Sequence, residues 1–337
     1  MEAAAADRLE ELAASFARAG AVVAQDYAVA GSRVSFRFAG DALRDRLTPA
    51  FAHLAAPSGE APELIVHLWD AASTGVEPPP RPAAPPGEAA GALYHFNAPP
   101  LRGAYQAAFE ALSVLDSDAG VAWYWVADAR NLPSWERACP IRQILFWWLA
   151  QRGYLQVHGA AVGTPEGGVL IVGPAGSGKS TVALACLGSE LLYAGDDYVA
   201  VTLEPSPRVA SLYNSGKIDP VHLDERLPRL LPYADHLDGE KAILYAERHF
   251  PQQTTSGFPL AALLVPAVRA DRREPRVVPA SRAASFAALG PSTMFQLHTA
   301  GAGELATLSS LVARVPCYTL ELGSDLTAVP ETISDLL

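Results

Sequence analysis

Hydrophobic positions along this chain change their period several times, and each period names an element. Near the N-terminus Leu9, Leu12 and Phe16 fall on one helical face, which predicts an amphipathic helix. Over residues 30–40, Val34, Phe36 and Phe38 alternate with polar partners between glycines, the pattern of a half-buried strand. Residues 41–55 read as helical, and Leu64 to Trp69 as another apolar strand. Residues 110–115 and 121–127 flank Asp116-Ser117-Asp118-Ala119-Gly120. Turn chemistry between two apolar runs predicts a hairpin, with Trp123 and Trp125 on one face and Tyr124 on the other. Ile141, Ile144, Leu145 and Trp148 then recur at helical spacing. These aromatics read as core.

The stretch 71–90 holds six prolines, at 78, 79, 80, 82, 85 and 86, and reads as a polyproline-like surface spacer. No internal repeat is visible. The 337 residues suggest two domains, set at 1–136 and 137–337. Hydrophobic residues make up 50% and charged residues 18%, which excludes a disordered or fibrous chain. The net charge of −11 argues against a nucleic-acid partner, which needs a basic face. Cys139, Cys186 and Cys317 are far apart and form no CxxC pair. A disulfide framework and a cysteine zinc site are therefore not expected. The N-terminus lacks a basic segment followed by an apolar run, and no apolar stretch approaches the roughly 18 residues of a membrane helix. The expectation is a cytoplasmic protein with no membrane partner.

Chemistry concentrates between residues 155 and 200. Val169 to Val172 form a short apolar strand. Gly173-Pro174-Ala175-Gly176-Ser177-Gly178-Lys179-Ser180 then matches the phosphate-binding pattern G-x-x-x-x-G-K-[ST], and Thr181 to Leu187 read as a helix. The strand–loop–helix context supports the motif. Glycines let the backbone wrap so that several N–H groups face the phosphates, and the helix N-terminus adds a favourable dipole. Lys179 would reach the β- and γ-phosphates, and the Ser180 hydroxyl would ligate Mg²⁺. Gly173 to Thr181 are thus the nucleotide-binding candidates.

Upstream, Leu155 to Val162 read as a strand and Thr164-Pro165-Glu166-Gly167-Gly168 as a turn. The link is too short for a parallel crossover, so the strands at 155 and 169 form an antiparallel hairpin. A turn centred on Pro165–Glu166 sets His158 opposite Gly173, at the mouth of the loop. A lone histidine in an apolar strand is otherwise a satisfied core residue. Downstream, the apolar run from Leu191 ends in Gly195-Asp196-Asp197. Successive side chains of a regular strand point to opposite faces, so both aspartates face one site only if the strand ends at Gly195. One acid facing a triphosphate can hold Mg²⁺ or accept a hydroxyl proton. The bland alternative is a turn or cap pair.

His158-Gly159, the loop at 173–180 and Gly195-Asp196-Asp197 occur in that order and at close spacing. Together they resemble the catalytic domain of HPr kinase/phosphorylase and its relatives, bacterial serine kinases and peptide-tailoring kinases among them. Phosphoenolpyruvate carboxykinase has a similar core. The resemblance is strong over about residues 140–200 and weaker over 300–337, where a helix, a strand at Val315 to Leu320 and a final helix are expected. It implies that Asp196 is the base towards a serine hydroxyl, that His158 supports it, and that Asp197 belongs to the metal shell. Family members carry an E-I-R-G-L-G segment after the acidic pair. Here Asn214-Ser215-Gly216-Lys217-Ile218-Asp219 stands at the comparable place, so phosphorylase activity and HPr as substrate are not carried over. Lys217 reads either as a stabiliser of transferring charge or as a surface lysine. Relatives form hexamers, which leaves a homo-oligomer open.

The expected architecture is α/β: a phosphate-loop kinase domain with a mixed sheet, preceded by a smaller α/β domain that recognises substrate. The expected function is ATP- and Mg²⁺-dependent phosphorylation of a hydroxyl on a protein, peptide or small molecule, with Asp196, His158 and Lys179 as catalytic residues and Ser180 and Asp197 at the metal. Two rivals differ in class. One is a nucleotide-switched regulatory protein with little transferase activity. The other is a carboxykinase-like enzyme acting on a small acid, which wants a basic cluster. Arg269, Arg272, Arg273 and Arg276 are candidates for that cluster, although the interleaved Asp271 and Glu274 suit a solvated loop.

Overall fold

The computed structural model describes residues 2–80, 96, 100–237, 240–296 and 300–337. The chain is mixed α/β and divides into two compact units, residues 1–148 and 149–337. In the first unit, β1 (Val22–Val29), β2 (Ser32–Ala39), β3 (Leu64–Asp70), β4 (Leu101–Gln106), β5 (Ala111–Asp116) and β6 (Val121–Val126) form one sheet in the order β1-β2-β3-β6-β5-β4. The β2–β3 and β3–β6 pairs are parallel and the others antiparallel. The helix α1 (Glu2–Arg18) buries Leu12 and Phe16 with Trp69, Trp123 and Trp125. Trp123 and Trp125 share that face, and Tyr124 turns to the other side. There its hydroxyl donates to Glu136 at 2.7 Å.

Two stretches differ from the sequence-based expectation. The helix over 41–55 is α2 (Asp41–Leu47) followed by a 3₁₀ turn, Thr48–Leu54. Pro49 has no N–H to give to a continuing α-helix, so the coil changes type there. The spacer at 71–90 opens with a short helix, α3 (Ala71–Thr74), capped by the Asp70 carboxylate, which accepts from the Ser73 N–H at 3.0 Å. Prolines 82, 85 and 86 lie outside the described residues.

The division between units falls at 148/149, not at 136/137. Helix α4 (Ser134–Ala138) belongs to the first unit, because Glu136 accepts hydrogen bonds from Tyr124 and from the Ile141 N–H, the latter at 3.0 Å. The next helix, α5 (Arg142–Ala150), spans the division.

The second unit contains β7 (Tyr154–Gly163), β8 (Gly168–Val172), α6 (Lys179–Ala185), β9 (Leu192–Gly195), β10 (Tyr198–Thr202), β11 (Arg208–Ser211), β12 (Ser215–Ile218), α7 (Pro220–Arg226), β13 (Ala242–Tyr245), α8 (Ala246–His249), β14 (Gly257–Val268), β15 (Arg276–Pro279), α9 (Arg282–Met294), α10 (Ala302–Arg314), β16 (Cys317–Leu322) and α11 (Val329–Ser334). The main sheet runs β11-β10-β7-β8-β14-β16-β15, with β9 also on β7. The β8–β14 and β14–β16 pairs are parallel and the rest antiparallel. Strand β8 is buried throughout because helices cover both faces. Val169 and Ile171 pack with Val182 and Leu184 of α6, while Leu170 and Val172 pack with Leu308 and Leu311 of α10. The β7–β8 hairpin pairs Gly159 with Val172 and Gly163 with Gly168, the register read from the turn. Strands β12 and β13 form a separate ribbon. Among the described residues no helix is long and apolar enough to cross a membrane.

One buried acid adds its own pH dependence to the first unit's stability. Burial pushes the Glu136 carboxyl up to about 7, against opposing effects of Arg142, Tyr124 and the Ile141 N–H. The folded state then holds a proton that the unfolded state has released. The acid's stabilising contribution is complete below the ordinary glutamate range and is lost as pH rises towards 7. All six tryptophans lie in this unit, so their fluorescence reports its unfolding. His53 and His67, whose pKa values burial lowers to about 3 and about 4, act in the opposite sense over the same window, so the acid's share is read as a difference. In urea melts the wild-type chain should lose on the order of 3 kcal/mol of stability relative to Glu136→Gln between about pH 4 and pH 7. Equal slopes in both proteins would contradict the assignment.

Candidate functional site

The site is built on a broken strand. The C-terminal half of β7 pairs with β9, Ala161 opposite Gly195, and its N-terminal half pairs with β10, His158 opposite Tyr198. Strands β9 and β10 are therefore one strand along β7, interrupted at Asp196-Asp197. Gly195 has φ of 140° and Asp197 a φ of 62°. A side chain at 195 would place its Cβ 2.8 Å from the Tyr213 carbonyl oxygen. The Gly159 N–H donates to the Asp197 carbonyl at 3.0 Å and so keeps the ladder in register across the break. The break defeats the alternation of a regular strand, and both carboxylates reach the same site.

The glycine-rich loop leads from β8 into α6. Gly178, just before the helix, has φ of 100°, a left-handed conformation that glycine adopts without strain. Lys179 is buried, and its Nζ donates to the carbonyls of Gly173 at 2.8 Å and Pro174 at 3.2 Å. Burial lowers its pKa, against the opposing pull of Asp196 and Asp197. A loop of this shape gathers backbone N–H groups around one concavity, which suits a phosphate group.

The two aspartates have different partners. Asp196 is 1% exposed. One of its oxygens accepts from Ser180 Oγ at 3.0 Å and the other from the Lys217 N–H at 3.1 Å. Asp197 pairs with the Lys217 ammonium and stands 3.8 Å from His158 Nε2. Burial and the adjacent Asp197 charge push the Asp196 carboxyl up to about 6, although Lys217 and Ser180 hydrogen bonds oppose the rise. Burial also pulls Asp197 up, but the Lys217 ammonium and then His158 outweigh it and hold that carboxyl below the usual range. The pair's negative charge therefore sits first on Asp197.

His158 is held from behind. Its Nδ1 lies 3.1 Å from the Ser292 carbonyl oxygen, and its backbone N–H donates to Thr293 Oγ1 at 3.3 Å. A carbonyl only accepts, so Nδ1 carries a proton. The other ring nitrogen, Nε2, is the one directed at Asp197. The histidine thus faces Asp197, whereas the resemblance put it behind Asp196. The strand break explains this, since it sets Asp197 beside the middle of β7, where its carbonyl accepts from the Gly159 N–H, and leaves Asp196 against Ser180 in the first turn of α6.

His158, the loop, Asp197 and Lys217 line one cleft of about 450 Å³, within the size range of small-ligand sites. The described residues contain no group of three or more His, Cys, Asp or Glu side chains placed to hold a metal ion. Ser180 and Asp196 do offer two adjacent oxygens. Such a pair suits a hard cation like Mg²⁺, which takes few protein ligands and fills its sphere with phosphate and water. Lys217, open between two readings in the sequence, stands between the acids. Ser292 and Thr293 carry no signal in the sequence, since their contacts with His158 span more than 130 residues. His222, Arg226 and Lys241 also line the cleft, and none of Arg269, Arg272, Arg273 and Arg276 does. Arg269 and Arg272 instead pair with Glu321, each at 3.3 Å.

No protein-family model matches the sequence, and no curated protein matches it. Among solved structures, the Hpr(Ser) kinase/phosphatase from Coxiella burnetii aligns with 54% of this chain and 92% of its own, at 11% identity and a TM-score of 0.29.

If the break at Gly195 positions the acids, a side chain there should damage fold and site together. Gly195→Ala forces a positive φ on alanine, a strain of about 1–3 kcal/mol, and drives its Cβ against the Tyr213 carbonyl. A chemical melt of the second unit, followed by circular dichroism, should show a loss of at least that size. Unchanged stability would mean that the bulge does not need glycine.

Proposed function

We propose that the second unit is a phosphate-loop kinase domain. It transfers the γ-phosphoryl group of ATP, with Mg²⁺, to a hydroxyl on a protein, peptide or small molecule. The observation that carries this reading is the meeting of the glycine-rich loop, Ser180 and Asp197 around one cleft, with Asp197 between a lysine and a histidine and a second acid, Asp196, buried directly behind Ser180. A purely structural loop has no use for a buried carboxylate behind its serine and a half-buried one facing the cleft.

In this reading Gly173 to Thr181 cradle the phosphates. Lys179 exchanges its two loop carbonyls for phosphate oxygens. Ser180 and Asp196 would hold the Mg²⁺, which supplies neutralising charge to the β- and γ-phosphates. Asp197 lines the cleft, orients the acceptor hydroxyl and receives its proton. His158 Nε2 stands beside it at 3.8 Å and helps to orient it. Lys217 keeps Asp197 ionised and faces the charge that develops on the transferring group. The resemblance gave the proton to Asp196 and the metal to Asp197. The geometry favours the reverse, because Asp196 is buried against Ser180 and the Lys217 N–H while Asp197 faces the cleft. Phosphoryl transfer passes through a loose transition state, so orientation counts for more than a strong base. The first unit would position the acceptor.

Three variants separate these roles. Lys179→Ala should weaken ATP in calorimetry and leave adenosine unchanged. Asp197→Asn should lower single-turnover transfer by about 10²–10⁴-fold with ATP affinity nearly intact. Asp196→Asn should lower Mg²⁺-dependent ATP affinity and rate together, with partial rescue by excess Mg²⁺. Near wild-type transfer by a folded Asp197→Asn protein would end its role as proton acceptor. Unchanged ATP binding in Lys179→Ala would end the phosphate-loop assignment.

A further inference from the structure

The walls of the cleft differ in chemistry. On one side stand Val268, Leu322 and Leu326, an apolar surface. The other side comes from one continuous stretch, β12–α7–β13. Lys217 lies in β12, His222 and Arg226 lie one turn apart on α7, and Lys241 immediately precedes β13. Helix α7 also carries Asp224 and Glu225, yet neither lines the cleft. The acids on this wall already have partners. Asp197 pairs with Lys217, and Asp219 caps α7 and lies 3.5 Å from Lys241. Arg226 has no ion-pair or hydrogen-bond partner among the described residues. The cleft that Asp197 lines is therefore also lined by an exposed, unpaired guanidinium, with an imidazole one turn away.

From this we infer that the acceptor is an anionic alcohol. It carries its hydroxyl next to a carboxylate or phosphate group, with the hydroxyl on Asp197 and the anion on Arg226 and His222. The inference rests on the phosphotransfer reading. Guanidinium is the side chain best shaped for a two-point grip on a planar carboxylate or a phosphate. A neutral alcohol would leave that cation unused in a cleft that also holds a triphosphate. The arginine-rich stretch at 269–276 cannot serve, since it lies outside the cleft. The anionic group can belong to a free hydroxy acid or to an acidic residue beside a serine, and both present the same chemistry to Arg226.

The test incubates the full chain with Mg²⁺ and γ-labelled ATP. The acceptors are cell extract fractionated by anion exchange and by size. D-glycerate and glycerol form one matched pair of probes, and N-acetyl-Ser-Glu-amide and N-acetyl-Ser-Gln-amide form the other. Label should appear in the retained fractions and in the charged member of a pair. Size and the responding pair then separate a free hydroxy acid from a peptide. Arg226→Gln should raise KM for the charged acceptor by roughly 10-fold or more, with KM for ATP little changed, and Arg226→Lys should recover part of the loss. Transfer to the unretained fraction, or equal use of neutral and charged probes, would overturn the inference. So would an Arg226→Gln effect on ATP alone, which would assign the wall to the nucleotide. Absence of label in every fraction, with ATP bound in calorimetry, would instead overturn the phosphotransfer reading and the inference with it.

Discussion

The second unit turns on one interruption in one strand. Strands β9 and β10 run along β7 as a single ladder, and Gly195, Asp196 and Asp197 break it at the level of the glycine-rich loop. An unbroken strand would send one carboxylate into the core beneath the sheet. The break sends both towards the loop, where Ser180 meets the first and His158, in the middle of β7, meets the second. Gly195 makes this feasible because its positive φ and its approach to the Tyr213 carbonyl leave no room for a side chain. The rest of the site follows from packing against that bulge: β12 alongside α6, and the end of α9 behind His158.

Adjacent buried acids repel, and the structure resolves the conflict with a single lysine. Lys217 gives its ammonium to Asp197 and its backbone N–H to Asp196. Burial and the Asp197 charge still raise the Asp196 pKa, whereas the Lys217 ammonium lowers that of Asp197, and the two acids differ in accessibility as well. A pair held this way offers two distinct chemistries side by side, an oxygen ligand next to the loop serine and an ionised acceptor facing the cleft.

Much of this was legible in the sequence because it is local. The β7–β8 register follows from a five-residue turn, so His158 could be placed at the mouth of the loop. The requirement that a strand end at Gly195 for both acids to converge was also readable, since alternation along a strand is strict. What the sequence hid is the choice of partner. Nothing in residues 155–200 says that His158 leans on the α9 carbonyl of Ser292 or that it faces Asp197. Lys217 could not be told from a surface lysine, because only the β12–β13 ribbon brings it to the acids. Similarly, the cluster of arginines at 269–276 drew notice by proximity in sequence. Besides Lys179, the basic side chains that line the cleft come from positions 217, 222, 226 and 241, a stretch with no arginine cluster to draw notice. The helix over 41–55 failed at Pro49, where one missing N–H outweighs a favourable hydrophobic pattern.

The strand break places Asp196 on the loop serine, and in the proposed kinase the two would act as one unit toward a metal-bound nucleotide. A double-mutant cycle in Mg²⁺·ATP binding tests this directly, with Ser180→Ala, Asp196→Asn and the double variant measured by calorimetry alongside the wild-type chain. The account predicts that the two losses do not add, with a coupling of about 1 kcal/mol or more, as found for side chains in one hydrogen-bonded network. Additive losses would show that the serine and the acid act separately, and would contradict it.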